Sequence, residues 1–287
     1  MATPLLRSVL YAPANRPDLV AKMERFAPDA VVIDLEDGTP AVAKESAREQ
    51  AVEAAVALRR GYRGTIWLRV NAPASPWHGP DLATAASAAF DGLVVPKIES
   101  AEQVIRIEAH EAVLTRPDSS VLWGIETVAG EHRVNDILDA SNAAAGAYFG
   151  AEDYVADLGG RRTRDSAETL VPRARVAIAC RLAGILAIDQ VVLDLADADH
   201  FRRDANAGID LGYRGKNCIH PAQVPLCHEV YTPDAASVER ARRLMECYER
   251  AIADGRGTAD FEGQMIDAPL VAQARVVLDL AAAAGVR

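Results

Sequence analysis

Apolar and β-branched runs recur along the chain, starting near Arg7 (RSVLYA), Ala30 (AVVIDL), Thr65 (TIWLRV), Gly92 (GLVVPKI), Val121 (VLWGIE), Gly146 (GAYFGAE), Asp189 (DQVVLDL) and Tyr213 (YRGKNCI). Each has the length and composition of a strand. Between them lie alanine-rich, charge-speckled stretches at 41–60, 100–114, 130–140 and 168–184, which place helix formers at helical spacing. The repeating unit is a strand followed by a helix, and the strand starts are about 29 residues apart on average, the length of one such unit. Several strands are continuously apolar rather than alternating, as parallel strands covered on both faces are. Eight units of this kind predict an α/β fold, a closed (β/α)8 TIM barrel. An open doubly wound sheet is the alternative, and it is disfavoured because no GxGxxG turn follows the first strand.

A tail follows the eighth strand: a helix around 234–254, a glycine-containing loop (DGRGTADFEG) and an alanine-rich helix from about Pro269. It exceeds what closing a barrel requires, so the chain is read as a catalytic barrel at 1–232 and a C-terminal helical extension or lid at 233–287. Half of the 287 residues are hydrophobic, which excludes global disorder. With 41 acidic against 31 basic side chains the net charge is −10, a balance that repels nucleic acid and anionic lipid. Any anionic ligand then needs a local basic pocket. Cys180, Cys218, Cys227 and Cys247 form no CxxC pair and read as reduced thiols. No signal peptide and no eighteen-residue apolar run is visible, so the expected location is cytoplasmic.

In a barrel of this class chemistry gathers at the C-terminal strand ends. Strand two ends in Asp34-Leu35-Glu36-Asp37, strand three in Arg69-Val70-Asn71, strand four in Lys97-Ile98-Glu99, strand five in Glu126-Thr127 and strand six in Glu152-Asp153. Carboxylates dominate this rim. Glu126 and Asp153, expected on neighbouring strands at matching depth, offer two hard oxygen donors to one point, which suits Mg2+. The same acids can instead pair with Arg69, Arg133 or Lys97. Zinc is disfavoured, because the six histidines show no HxH or HExxH spacing. Arg69 ends a buried strand and needs an anion: a substrate carboxylate, an enolate, or Asp34 or Glu36. Arg16 and Lys22, just past strand one, are candidate phosphate contacts, with solvated surface charge as the alternative. His220 reads as a turn or core histidine. No GxSxG, Cys/His or P-loop motif supports nucleophilic hydrolysis or nucleoside triphosphate chemistry.

At these residues the chain resembles the citrate lyase β-subunit-like family of aldolase/citrate lyase barrels. The matching stretches are PANRP (13–17), VIDLEDGTP (32–40), LRVN (68–71), VPKIES (95–100), IET (125–127), GAEDY (150–154), GKNCIHPAQV (215–224) and GQMIDAP (263–269), spread over nearly the whole chain. The resemblance implies a lyase dependent on Mg2+, with Mn2+ able to substitute, that reversibly cleaves a malyl-CoA or citramalyl-CoA type thioester to acetyl-CoA and a 2-oxo acid. By carry-over Glu126 and Asp153 are metal ligands, Arg69 contacts substrate oxygens, and Glu36 and Asp37 hold metal waters. The amides of Ala151 and Glu152 receive the substrate carboxylate, and Arg16 and Lys22 face the CoA phosphates. Asp267 in GQMIDAP is implied to be an acid/base reaching an adjacent subunit of a homo-oligomer, a homotrimer or a multiple of one; its alternative reading is an N-cap for the last helix.

Three rivals remain. A metal-dependent pyruvate aldolase of the same barrel group typically carries a His in the strand-two motif where Asp37 stands, and a GPxD-like form where GAED stands. A citrate lyase β-subunit acting on acyl-carrier-protein thioesters is only weakly opposed by GQMIDAP. A non-catalytic acyl-CoA-binding protein is disfavoured, because no metal or acid/base position is missing.

Overall fold

The structure, a computed structural model, describes residues 5–114, 116 and 120–286. The ends of both expected domains, residues 1–4 and 287, lie outside the described residues. Eight parallel strands close in chain order: β1 (Ser8–Pro13), β2 (Ala30–Asp34), β3 (Thr65–Arg69), β4 (Gly92–Val95), β5 (Val121–Ile125), β6 (Ala144–Phe149), β7 (Leu186–Asp189) and β8 (Gly215–Cys218). β8 pairs back onto β1, with Ser8 opposite Lys216 and Leu10 opposite Cys218. The expected (β/α)8 barrel is therefore present.

The helices are α1 (Pro17–Val20), α2 (Lys44–Leu58), α3 (His78–Ala85), α4 (Ala101–Glu108), α5 (Glu111–Leu114), α6 (Val128–His132) and α7 (Val134–Asp139) in the first half of the chain. The second half carries α8 (Ala151–Leu158), α9 (Leu170–Ala183), α10 (Ala198–Leu211), α11 (Gln223–Tyr231), α12 (Ala235–Ala253) and α13 (Ala268–Ala283). Their starts follow local chemistry. Ser100, Thr127, Asp197 and Asp234 each accept a hydrogen bond from a first-turn N–H of the helix they precede. Among the described residues no helix is long and apolar enough to cross a membrane.

Inside the barrel Val9, Val32, Trp67, Val94, Leu122 and Ile188 form the packed floor. On the outer side of β7 and β8, toward α9 and α10, the chain buries charge instead. Arg173 holds Asp189 through Nε at 2.8 Å and reaches Asp204 at 3.2 Å. Lys216 Nζ lies 2.9 Å from Asp189 and also bonds Asp204, while Gln190 donates to Asp204 at 2.9 Å. Two cations and two anions thus neutralise one another where water is excluded, with Lys216 and Asp189 both fully buried.

Two expectations need correcting. The seventh strand is Leu186–Asp189, ahead of the run starting at Asp189: the ladder to β6 uses Leu186–Ile188, and Leu193 and Leu195 beyond it are exposed. Two compact units make up the chain, one spanning Leu6–His228 and the other holding the residues from Glu229 onward. The loop at 254–263 is not wholly irregular, because Ala259–Phe261 (β9) and Gln264–Ile266 (β10) pair as an antiparallel ribbon. Glu262 and Gly263, both at positive φ, make its turn. Within that second unit Phe261 and Ile266 pack with Ala241, Leu244 and Ala274.

Removing one partner from a buried ionic group leaves charge uncompensated, so Lys216→Met should cost about 3–5 kcal/mol, read as a lower urea midpoint. Burial favours the neutral form of Asp204, but Lys216 and Arg173 outweigh it and hold the carboxyl down at about 2. Its stabilising contribution is complete above about pH 4 and is lost as the pH falls toward 2. Asp204→Asn should flatten that part of the stability curve in addition to lowering it; an unchanged acid slope would contradict this account.

Candidate active site

Side chains on a strand alternate between faces, so Asp34 shares the inward face of Val32, and Arg69 that of Trp67, one layer above the floor. The β2–β3 register sets these two residues directly opposite each other. Arg69 grips Asp34 with two parallel bonds, Nε to Oδ1 and Nη2 to Oδ2, both 2.7 Å. Its Nη1 lies 3.0 Å from Glu36 Oε2, and its guanidinium stacks 5.1 Å from the Tyr11 ring centroid. Asp34 also accepts the peptide N–H groups of Glu36 and Gly38, each at 2.8 Å. Burial opposes ionisation of Asp34, yet Arg69 and those two N–H groups hold its carboxyl below the ordinary range.

Lys97 ties the remaining carboxylates together. Its ammonium lies 2.5 Å from Glu36, 3.3 Å from Asp37 and 3.4 Å from Asp153, and its own peptide N–H donates to Glu126 Oε1 at 3.0 Å. That double duty is met with Lys97 at φ 50°, a left-handed conformation unusual for a side-chain-bearing residue. Burial lowers the Lys97 pKa, but Glu36 above all outweighs it, so the ammonium stays charged.

Glu126 follows β5 and turns into the barrel, where Tyr148 on β6 donates to its Oε1 at 2.6 Å. Two glycines make room for it: a Cβ at Gly124 would lie 2.8 Å from Oε1, and one at Gly150 2.4 Å from Oε2. Burial first, and the nearby Glu36 charge second, push its carboxyl up to about 7. Asp153 is not a strand-end residue as expected. β6 ends at Phe149, and Asp153 is the third residue of α8. Both acids nevertheless line one cavity of about 460 Å³, with Tyr11, Asp34, Asp37, Arg69 and Tyr148.

Ala151 and Glu152 begin α8 and line the same cavity, and no side chain caps the first-turn N–H groups of that helix. The Glu152 side chain pairs with Arg162 at 2.8 Å. Arg16 is turned onto Asp18 by two bonds of 2.8 and 2.9 Å, and Lys22 lies 3.9 Å from the same carboxylate. All three side chains are about half exposed, and neither cation lines the cavity. Asp267 occupies the N-cap position of α13 with extended backbone and Pro269 in the first turn, as the alternative reading held, but its side chain makes no capping bond.

Sequence reasoning weighed Lys97 only as an ion-pair partner and passed over Tyr11 and Tyr148. The signal for both tyrosines was the inward phase of their strands, since Tyr11 follows Val9 by two and Tyr148 stands opposite Gly124 in the register.

A sequence description of the HpcH/HpaI aldolase/citrate lyase family matches residues 7–221. The chain is 48% identical over 280 residues to the citrate lyase subunit beta-like protein of Deinococcus radiodurans, covering 96% of each. It is 31% identical to the L-malyl-CoA/beta-methylmalyl-CoA lyase of Cereibacter sphaeroides, covering 95% of this chain and 93% of that protein. Among solved structures, CitE of Mycobacterium tuberculosis in complex with magnesium, acetoacetate and coenzyme A superposes with a TM-score of 0.81 at 31% identity, covering 96% of this chain and 98% of that one. Barrel, rim and sequence agree: the chain belongs to the HpcH/HpaI aldolase/citrate lyase family.

Proposed function

We propose that this protein is a Mg2+-dependent carbon–carbon lyase that reversibly cleaves a 3-hydroxyacyl-CoA thioester of the malyl-CoA or citramalyl-CoA type to acetyl-CoA and a 2-oxo acid, glyoxylate or pyruvate. The observation that carries this reading is the convergence of Glu126, Asp153 and Arg69 on one cavity. The Cereibacter lyase and the CitE complex with magnesium and coenzyme A support it.

The residues present fit the metal. Tyr148 and the Lys97 peptide hold Glu126 Oε1, Gly150 leaves space beside Oε2, and Asp153 supplies a second hard oxygen donor. Among the described residues no three His, Cys, Asp or Glu side chains form a closed cage. Two carboxylates with room for substrate and water oxygens are what Mg2+ takes. Bound there, Mg2+ supplies a Lewis acid that polarises the substrate's oxygens.

Glu126 and Asp153 are the metal's protein ligands in this reading, and Glu36 and Asp37 orient its waters. The uncapped N–H groups at Ala151 and Glu152 receive the oxo-acid carboxylate at the positive end of α8. Arg69, whose Nε and Nη2 are held by Asp34, turns the terminal N–H groups that Asp34 does not take to the enolate oxygen of the acetyl group. In cleavage the 3-hydroxyl proton passes to water and Asp267 of an adjacent subunit gives the carbon its proton; in condensation Asp267 removes that proton, the electron pair of the C–H bond forms the new C–C bond, and the former carbonyl oxygen takes a proton from water. Arg16 and Lys22 serve the CoA phosphates by exchanging Asp18 for them.

The reading is tested with purified protein, Mg2+, acetyl-CoA or propionyl-CoA and a panel of 2-oxo acids, following condensation and thiol release. The citrate lyase β relatives favour a second reading, action on acyl-carrier-protein thioesters, which turnover of free CoA thioesters excludes. Glu126→Gln and Asp153→Asn should each abolish most turnover with the fold retained. Gly150→Ala should weaken Mg2+ binding in calorimetry, because its Cβ collides with Glu126 Oε2. Full activity in EDTA would refute the metal role.

Arg69→Lys keeps the charge but loses the fork, and kcat should fall about 10²-fold or more. An effect confined to stability would reassign Arg69 to structure. Mixing Asp267→Asn subunits with Glu126→Gln subunits, after dissociation and reassembly, should restore a fraction of wild-type activity. A mixed oligomer that stays inactive would place Asp267 in its own chain's site.

A further inference from the structure

Two tyrosines line the cavity, and their hydroxyls are in opposite situations. Tyr148 spends its O–H on Glu126 Oε1 at 2.6 Å. Tyr11, on the inward face of β1 two residues after Val9, buries its Oη without a hydrogen-bond partner among the described residues. A buried hydroxyl with no partner lowers stability, because water satisfies it in the unfolded chain. Phenylalanine would fill the same space and stack on Arg69 equally well, so the folded protein by itself gains nothing from this oxygen. Its place is nevertheless specific. The ring carries it alongside the Arg69 guanidinium, 5.1 Å from the ring centroid, in the cavity that Glu126 and Asp153 share. Burial raises the Tyr11 pKa more than the Arg69 charge lowers it, so the phenol is a neutral donor at neutral pH.

We propose that the Tyr11 hydroxyl is a further catalytic group, donating a hydrogen bond to the thioester oxygen as the acetyl group becomes an enolate. The proposal rests on the thioester reading above. Asp34 holds Nε and Nη2 of Arg69, and Glu36 stands 3.0 Å from Nη1, so few Arg69 donors remain for an oxyanion. A neutral O–H beside them adds a donor without adding charge to a site already filled with ion pairs. When Asp267 removes a methyl proton, the C–H electron pair becomes the enolate C=C bond and the carbonyl π pair moves onto oxygen. Tyr11 keeps its own proton. Its hydrogen bond is stronger to the oxyanion than to the neutral carbonyl, which lowers the barrier rather than merely tightening binding. The 2-oxo acid carries oxygens that accept from a phenol in the same way, and the test separates the two.

The test compares full-length wild type with Tyr11→Phe, which keeps the ring and its stacking and deletes one oxygen. Condensation of acetyl-CoA with glyoxylate and with pyruvate would be followed in Mg2+, beside calorimetry of pyruvate plus Mg2+ and urea unfolding. In the variant kcat should fall about 10²-fold, the scale of one oxyanion donor, with the KM of the oxo acid and pyruvate binding unchanged. The urea midpoint should stay level or rise, since no protein bond is lost. Activity and stability thus move independently, which a packing role would not produce. A wild-type kcat in Tyr11→Phe overturns the role of Tyr11 alone. Weaker pyruvate binding reassigns the hydroxyl to the oxo acid, and a lowered urea midpoint reassigns it to structure; either overturns the proposal. Wild-type protein that binds pyruvate but condenses no thioester with any oxo acid overturns the thioester reading and this proposal with it.

Discussion

The ion pair of Asp34 and Arg69 governs the mouth of this barrel. Each is buried on the inward face of its strand, and neither charge is tolerable there without the other. Because they stand opposite in the β2–β3 register, a slip of one residue would send one of them to the helix layer and leave the other alone inside. The register of the sheet and the electrostatics of the site are thus one constraint. From Asp34 the order spreads outward: its two accepted N–H groups shape the Glu36–Gly38 turn, the turn sets Glu36 against Lys97, and the Lys97 peptide fixes Glu126.

Much of this was legible beforehand, for a physical reason. Strand spacing and the acidic ends of those strands are written in local sequence, so the barrel and Asp34, Glu36, Arg69 and Glu126 at its rim follow from period and topology. What was missed depends on tertiary choice. The run at 189–195 carries strand composition, yet only Asp189 belongs to β7, because Gln190 turns into the buried charge network and Val191 and Leu193 after it line the cavity. Asp153 looks like a strand end and is a helix residue, since the turn at Gly150 comes three residues sooner. Nothing local signals that Lys97 takes a left-handed conformation, that Asp18 engages Arg16, or that a glycine-rich stretch hides a ribbon of two three-residue strands.

The charges outside β7 and β8 have a meaning for a barrel still being assembled. β8 comes last in the barrel and closes onto β1 across about 200 residues of chain, so loop-closure entropy delays that pairing. Until it happens, β7 is an open edge, the kind of surface on which another chain can add a strand. Without Lys216, Arg173 alone would face the two carboxylates of Asp189 and Asp204, leaving an uncompensated negative charge beside that edge. When β8 arrives, Lys216 completes the neutral group, and the same residues that discouraged a foreign strand become the fastening of the native one.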